Sequence, residues 1–144
     1  MKIIFDIDST LANTDHRHHF LHETPKNWKA FFEASVDDTP IMPTVEMYRA
    51  LYGVHTSKVE IWTGRPEIYR VSTRDWLRKH VGPSTLYCPL KMRAHKDQRD
   101  DTVVKLEFID PDDPPDLIFE DRDRVVRAFR RLGYTVYQVA PGNF

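Results

Sequence analysis

Short apolar or β-branched runs at 2–5, 59–62, 86–88, 117–119 and 135–139, each bounded by Asp, Gly or Pro, predict β-strands. Between them, 44–52, 66–81, 101–109 and 124–132 carry apolar residues at helical spacing. In the second of these stretches the period turns Val71 and Leu77 inward. Pro66 suits the first position of a helix and Gly133 a C-terminal cap. Strand alternating with helix predicts an α/β fold, a parallel sheet with helices on both faces. In such sheets ligands bind beyond the carboxyl ends of the strands. Residues 13–42 break the alternation: they are polar and punctuated by Phe20, Pro25, Trp28, Phe31, Phe32 and Pro40. Thr24 to Glu33 reads as one capped helix, so a small lid inserted after the first strand is expected. The run Asp110-Pro111-Asp112-Asp113-Pro114-Pro115 reads as a turn ahead of a strand, and no internal repeat is found.

Composition narrows the picture. With 144 residues the chain supports one core, so residues 1–144 are expected to form a single domain with its lid at about 13–42. Lys and Arg number 21 against 22 Asp and Glu, so no global basic field recruits a polyanion and any such partner must be read by a local patch. The five glycines, at 53, 64, 82, 133 and 142, exclude both the dinucleotide fingerprint and the P-loop, so no kinase activity is expected. The single Cys88 cannot form an internal disulfide and reads as a small core residue. No apolar stretch approaches the roughly 18 residues of a membrane span, and the first residues show no long apolar leader segment. A reduced, cytoplasmic protein without an obligate protein partner is the expectation.

Four motifs carry chemistry. The first is Phe5-Asp6-Ile7-Asp8-Ser9-Thr10-Leu11 at the exit of the first strand. Residues two apart on extended chain project to one side, so Asp6 and Asp8 can converge on one ligand as nucleophile and acid/base, and their oxygens suit Mg²⁺. A calcium-loop reading fails, because Leu11 stands at the glycine position and Arg17 at the terminal Glu position. The second is Ile61-Trp62-Thr63-Gly64-Arg65-Pro66, where a hydroxyl can bond a phosphate oxygen, and Arg65, just ahead of a helix start, implies a bound anion. The third is Leu117-Ile118-Phe119-Glu120-Asp121-Arg122-Asp123. If this strand neighbours the first, Asp121 completes the cation site and Glu120 orients a metal-bound water. The fourth is Arg99-Asp100-Asp101-Thr102-Val103-Val104-Lys105, whose Lys can balance carboxylate and phosphate charge. Each has an ordinary alternative: acids cap turns and helix starts, and a Lys or Arg on a helix is commonly solvated. His16, His18, His19 and His22 suggest a metal cluster, but no Cys accompanies them and they are expected to line the lid.

Taken in order, nucleophile acid, Thr, Lys and acidic pair, the motifs resemble the haloacid dehalogenase (HAD) superfamily, whose phosphatases use D-x-D-x-T, a strand-end Ser/Thr, a Lys and a terminal acidic pair. More closely, the chain is similar to the 3'-phosphatase domain of phage-type polynucleotide kinase-phosphatase. That resemblance rests on 6–11, 63–65, 99–105, 121–122 and the closing Gln138-Val139-Ala140-Pro141-Gly142-Asn143-Phe144. It is weak between 13 and 57. Ser9 stands where the family usually has Gly, Glu120 where Asp is usual, and Asn143 for a common Asp.

The resemblance implies a Rossmann-like, HAD-type core and a Mg²⁺-dependent phosphomonoesterase acting through a phosphoaspartate. In it Asp6 is the nucleophile, Asp8 the acid/base, and Thr63 and Lys105 bind the transferring phosphoryl group. Asp6, the Asp8 carbonyl and Asp121 hold the metal, with Glu120 beside them, while Arg17, Arg65, Arg99 and Asp101 shape substrate recognition. The implied substrate is a phosphorylated polynucleotide end, DNA or RNA. Between 65 and 105 ten Lys or Arg face five acids, a flank that suits a phosphate backbone, with Arg74, Arg78 and Lys79 expected to track it. A phosphatase of free nucleotides or other small phosphometabolites shares the chemistry, and a non-catalytic phosphate-binding module stands as the alternative of another class.

Overall fold

The computed structural model describes residues 1–143; Phe144, the last residue of the closing motif, lies outside them. The main sheet has five parallel strands, β1 (Lys2–Phe5), β4 (Lys58–Pro66), β5 (Leu90–Arg93), β6 (Leu117–Glu120) and β7 (Val136–Gln138), in the order β5-β4-β1-β6-β7. Two residues each from β2 (Ala12–Asn13) and β3 (Thr39–Pro40) form a separate antiparallel ladder. Strand β1 is buried along its whole length, as a central parallel strand covered on both faces must be. On one face α2 (Met42–Tyr52) and α3 (Arg70–His80) bring Val45, Tyr48, Trp76 and Leu77 onto Ile3, Phe5 and Ile61. On the other, α4 (Asp101–Glu107) and α5 (Asp123–Arg131) pack with Val125, Val126 and Phe129 around Ile4, Trp62 and Ile118. The architecture is the expected α/β one. Among the described residues no helix is long and apolar enough to cross a membrane.

Three expectations are corrected. The run at 86–88 is no strand: a 3-10 turn, Pro83–Leu86, leads through Cys88 to Pro89, and the strand begins at Leu90. Its inward residues are Leu90 and Met92, a period-two pattern obscured by the charges of Lys91 and Arg93. Strand β4 runs on to Pro66, which pairs with Arg93 across a register shift after Thr63. Arg65 therefore lies in extended chain and not at a helix N-terminus. Because α3 starts only at Arg70, its inward residues are Thr73, Trp76 and Leu77, while Val71 is 76% exposed. Gly133, at φ 89°, does cap α5.

Residues 13–42 fold as a 3-10 segment, Asp15–Leu21, then α1 (Trp28–Glu33), then a second 3-10 turn, Ala34–Asp37. The α1 cap is Asn27, whose side chain accepts from the Ala30 N–H at 3.1 Å, so the helix begins later than Thr24.

The loop after β1 is tight. The Ile7 carbonyl accepts from the N–H groups of Thr10, Leu11 and Ala12 at 3.1, 2.8 and 2.8 Å. Closing it puts Ser9 at φ 60°, a left-handed conformation costing a non-glycine residue roughly 1–2 kcal/mol. The Ser9 hydroxyl recovers part of that through a 2.7 Å hydrogen bond with Thr14 Oγ1. Ser9→Ala keeps the strain and loses the bond, whereas Ser9→Gly loses both. Urea unfolding is expected to find the alanine variant about 1 kcal/mol less stable than the glycine variant. Equal stabilities would mean that φ at this position carries no cost.

Candidate active site

The strand register builds the site. Asp6 follows Phe5, and its N–H donates to the Phe119 carbonyl at 3.0 Å, so the β1–β6 ladder continues one step past the strand end. That sets Asp6 level with Glu120 and Asp121. From above, α4 starts on Asp100, whose side chain accepts from the Thr102 N–H at 2.8 Å. One turn apart on the inner face of α4 stand Asp101 and Lys105. Lys105 Nζ donates to Asp6 Oδ1 at 2.7 Å and to Glu120 Oε2 at 2.6 Å, and Asp101 Oδ2 lies 3.7 Å away. All four of these side chains are buried.

Charge does not balance here. Ligand oxygens of Asp6, Glu120 and Asp121 lie within 4.8 Å of one another. Lys105 is inserted among them, with Arg122 close enough to act on all three. Burial, then the neighbouring Glu120, push the Asp6 carboxyl well above its usual range and Asp121 up to about 8. Burial alone would lower Lys105, but Asp6 and Glu120 outweigh it and hold the ammonium firmly charged. Asp121 Oδ2 is buried without a hydrogen-bond partner. Three crowded carboxylates, one oxygen of which is unsatisfied, fit a hard divalent cation such as Mg²⁺. Bound there, it would supply positive charge at a phosphoryl oxygen.

Asp101 belongs to the same cluster but is differently held. Burial would raise its carboxyl, yet Lys105, Arg122 and Arg93 outweigh that and keep it ionised. Arg93 reaches its Oδ1 at 2.8 Å and Arg122 its Oδ2 at 3.2 Å. Gly64 is required by this packing, since a Cβ there would come within 2.0 Å of Asp101 Oδ1. Behind the acidic pair the closing segment is equally close. A Cβ on Gly142 would stand 2.4 Å from the Asp121 carbonyl oxygen, which also accepts from Gln138 Nε2 at 2.9 Å.

Asp8 sits in a second ionic unit. Arg65 Nη2 donates to its Oδ1 at 2.6 Å and Arg65 Nε at 3.0 Å, while Arg17 Nη2 donates to the same Oδ1. Both guanidiniums are fully buried, and Asp38 closes the unit by accepting from Arg17 Nε and Nη2 at 2.7 Å each and from Arg65 Nη2 at 2.9 Å. Burial would raise the Asp8 carboxyl, but Arg65 and Arg17 outweigh it and hold it far below the ordinary carboxylate range. Asp8 is thus held ionised.

The two units meet a cavity of about 880 Å³, walled by Asp6, Asp8, Asp101, Lys105, Glu120 and Asp121 on its chemical side. Lys26, Lys29, Arg93, Lys96, Arg99, Arg122 and Arg124 also line it. Thr63, Arg17 and Arg65 do not. Thr63 is buried and its hydroxyl accepts from the Arg65 N–H at 3.2 Å, while the two arginines lie behind Asp8 and act on it instead of reaching the cavity. Arg99 reaches the wall already paired, with Asp97 at 2.7 Å and Glu107 at 2.6 Å. The basic flank is also redistributed. Arg74 is spent on the Thr85 and Cys88 carbonyls, and Arg78 and Lys79 line a separate hollow beside Trp76 and His80. Among the histidines, His16 bonds Asp38 at 2.9 Å and His18 bonds Thr14 at 2.8 Å, and no metal-ligating group among the described residues includes them. Cys88 is buried, with its thiol pushed up to about 11 by that burial. Sequence reasoning missed Asp38, Arg93 and Arg122. Asp38 carries no signal of its own in the sequence; the need for a second carboxylate shows only once the fold sets Arg17 and Arg65 against Asp8.

A family model described as the polynucleotide kinase PNKP phosphatase domain matches residues 1–144. Two solved structures are similar over 99% of this chain. One is a chain of a Pnkp1/Rnl/Hen1 complex, at 27% identity and a TM-score of 0.77 over 47% of that chain. The other, from a Pnkp1/Rnl/Hen1 RNA repair complex, matches at 26% and 0.79 over 43% of its length. The present chain therefore spans less than half of either. A Thermotoga maritima protein described as a beta-phosphoglucomutase shares the fold, at 13% identity and a TM-score of 0.58, covering 95% of this chain and 84% of that one.

The crowding of acids sets up one expectation. Replacing Asp121 by Asn removes a carboxylate that only a cation can balance, so without divalent ions the variant should melt about 3 °C above the parent chain, the shift that roughly 1 kcal/mol gives at this size. Added Mg²⁺ should raise the melting temperature of the parent and not of Asp121→Asn. A retained Mg²⁺ response would put the ion elsewhere.

Proposed function

Because the chain belongs to the polynucleotide kinase PNKP phosphatase-domain family, and is thus a HAD-type phosphatase, a phosphoric monoester hydrolase, we propose that it removes 3'-phosphate from polynucleotide ends through a phosphoaspartate on Asp6. The observation that carries this is Lys105 Nζ, 2.7 Å from Asp6 and 2.6 Å from Glu120, on the chemical side of a cavity that Lys26, Lys29, Lys96 and Arg124 also line. Lys105 aims Asp6 and opposes the burial and neighbouring acids that raise its carboxyl. One Asp6 oxygen attacks phosphorus as the bond to the leaving 3'-oxygen breaks, and Asp8 gives that oxygen a proton. In the second step Asp8, again ionised, takes a proton from water, which attacks phosphorus, releases inorganic phosphate and restores Asp6.

Asp8 reaches its acid form through the substrate. A phosphate dianion beside it adds negative charge and opposes the arginines that hold it ionised. Mg²⁺ bound by Asp6, Asp121 and the Asp8 carbonyl, next to Glu120, would offset phosphoryl charge as the bond is transferred. Lys105 and the arginines around Asp101 do the same from the protein side. A single phosphomonoester needs only the chemical wall. Lys26, Lys29, Lys96 and Arg124 on the same cavity favour a substrate carrying further phosphates over a small phosphometabolite.

Asp6→Asn should lose activity by at least roughly three decades while keeping its unfolding transition, because the amide is not a competent nucleophile. A rate within tenfold of the parent would remove the covalent route. Substrate class is read from a second comparison. A 3'-phosphorylated oligonucleotide should be hydrolysed with a lower KM than a nucleoside 3'-monophosphate, and that KM should rise steeply with salt. Lys96→Ala should raise it and flatten the salt dependence, since each lost phosphate contact removes one counterion-release contribution. Arg78→Ala and Lys79→Ala, on the other hollow, should not. Equal KM values for the two substrates would favour the small-phosphometabolite reading.

A further inference from the structure

The insert turns two faces toward different tasks. On α1, Phe31 is buried and its ring lies 4.1 Å from the Arg17 guanidinium, so this side of the helix backs the ionic unit around Asp8. Trp28 and Phe32, one turn apart, form another side. Their rings lie 5.9 Å apart at an interplanar angle of 23°, and Phe32 continues to Tyr69, at 5.7 Å and 35°. Trp28, Phe32 and Tyr69 make one aromatic row from the insert to the 3-10 turn after β4, Glu67–Tyr69, and all three line the cavity that holds Asp6 and Asp8. Trp28 is 43% exposed although it is the largest apolar side chain of α1. Its ring packs edge-on against Phe31 at 5.8 Å and leaves the rest of its surface to the cavity.

Two further observations say what this row faces. Lys26 Nζ stands 5.8 Å from the Trp28 ring, and Lys29 and Lys96 share the cavity wall. Aromatic faces interleaved with cations are what a single nucleic-acid strand requires: the rings take the flat bases and the cations follow the phosphates. A volume of about 880 Å³ lies toward the upper end for a pocket taking one organic ligand, far more than a phosphoryl group fills.

We propose that Trp28, Phe32 and Tyr69 form a stacking shelf for a nucleobase at the 3' end of a single strand, placed so that the 3'-phosphate reaches Asp6 while Lys26 and Lys29 hold the backbone. This rests on the polynucleotide reading and adds to it that the enzyme senses the base as well as the phosphates. The shelf reads shape and not sequence, since every base offers a π face. It also ties recognition to chemistry through one short helix, whose Phe31 side supports Arg17 and whose Trp28 side meets the substrate.

The test compares two 3'-phosphorylated oligonucleotides of equal length and charge, one ending in a normal nucleotide and one in an abasic residue. For the parent chain kcat/KM should favour the base-bearing strand by about tenfold. In Trp28→Ala that ratio should fall to about one, and in Trp28→Phe most of it should survive. Because the readout is a ratio within one variant, a general loss of folding or of catalysis cancels. A parent ratio near one, or a ratio that Trp28→Ala leaves intact, would overturn the shelf while efficient turnover of both strands kept the polynucleotide reading. Hydrolysis of a simple alkyl phosphate without turnover of either strand would overturn that reading, and the shelf with it.

Discussion

One buried ammonium organises this protein. Lys105 reaches from α4 into a cluster of carboxylates contributed by two adjacent strands, and each partner is fixed by a different part of the fold. The ladder between β1 and β6 sets the height of Asp6 against Glu120, and the α4 cap sets where the lysine begins. Arg93 and Arg122 engage Asp101 so that it does not draw the lysine away. Moving ions of this size from water into a protein interior costs several kcal/mol each, so such a cluster persists only where geometry is good and further charge is compensated. Lys105, even with Arg122 nearby, leaves Asp6, Glu120 and Asp121 in excess, and that deficit of positive charge suits the place to a cation.

The unit around Asp8 works by the opposite principle. Two guanidiniums meet two carboxylates, the charges cancel, and both arginines are sealed from solvent. Taking one member from such a buried set typically costs about 3–5 kcal/mol, because the partner is left charged and dry. The balanced unit is built to be rigid and the unbalanced one to accept a ligand. Their placement on either side of the same strand exit keeps the two functions a few residues apart in sequence.

Much of this is legible in the residues alone, for a definite reason. Acids directly after short apolar runs mark strand exits, and a parallel sheet collects such exits at one end, so Asp6, Asp8, Glu120 and Asp121 are legible as candidates, while their meeting depends on β1 and β6 being neighbours. Lys105 stands out only through its position in the order of motifs and the resemblance, since a Lys on an amphipathic stretch is by itself commonly solvated. What is not legible depends on distance in sequence or on masking charge. Strand β5 hides because Lys91 and Arg93 on its other face break up the apolar run, and β4 runs past its expected end because Pro66 fits extended backbone as well as a helix start. The orientation of the basic residues was invisible because helical period alone does not say which exposed face of α3 turns toward the site; Arg78 and Lys79 line another hollow. Asp38 has no local signature, being an acid among polar residues whose partners lie 21 and 27 positions away.

The short ladder between β2 and β3 pairs Ala12 with Pro40 and Asn13 with Thr39, closing residues 14–38 at a narrow neck. A segment stapled in this way is anchored at its base whatever its length or content, so it is a natural place for lineages to exchange one substrate surface for another while the sheet beneath is inherited unchanged. That freedom has one fixed condition. Any replacement must still deliver a basic group to Asp8 and an acid to Arg65, because the core side of that ionic unit stays behind when the segment is traded.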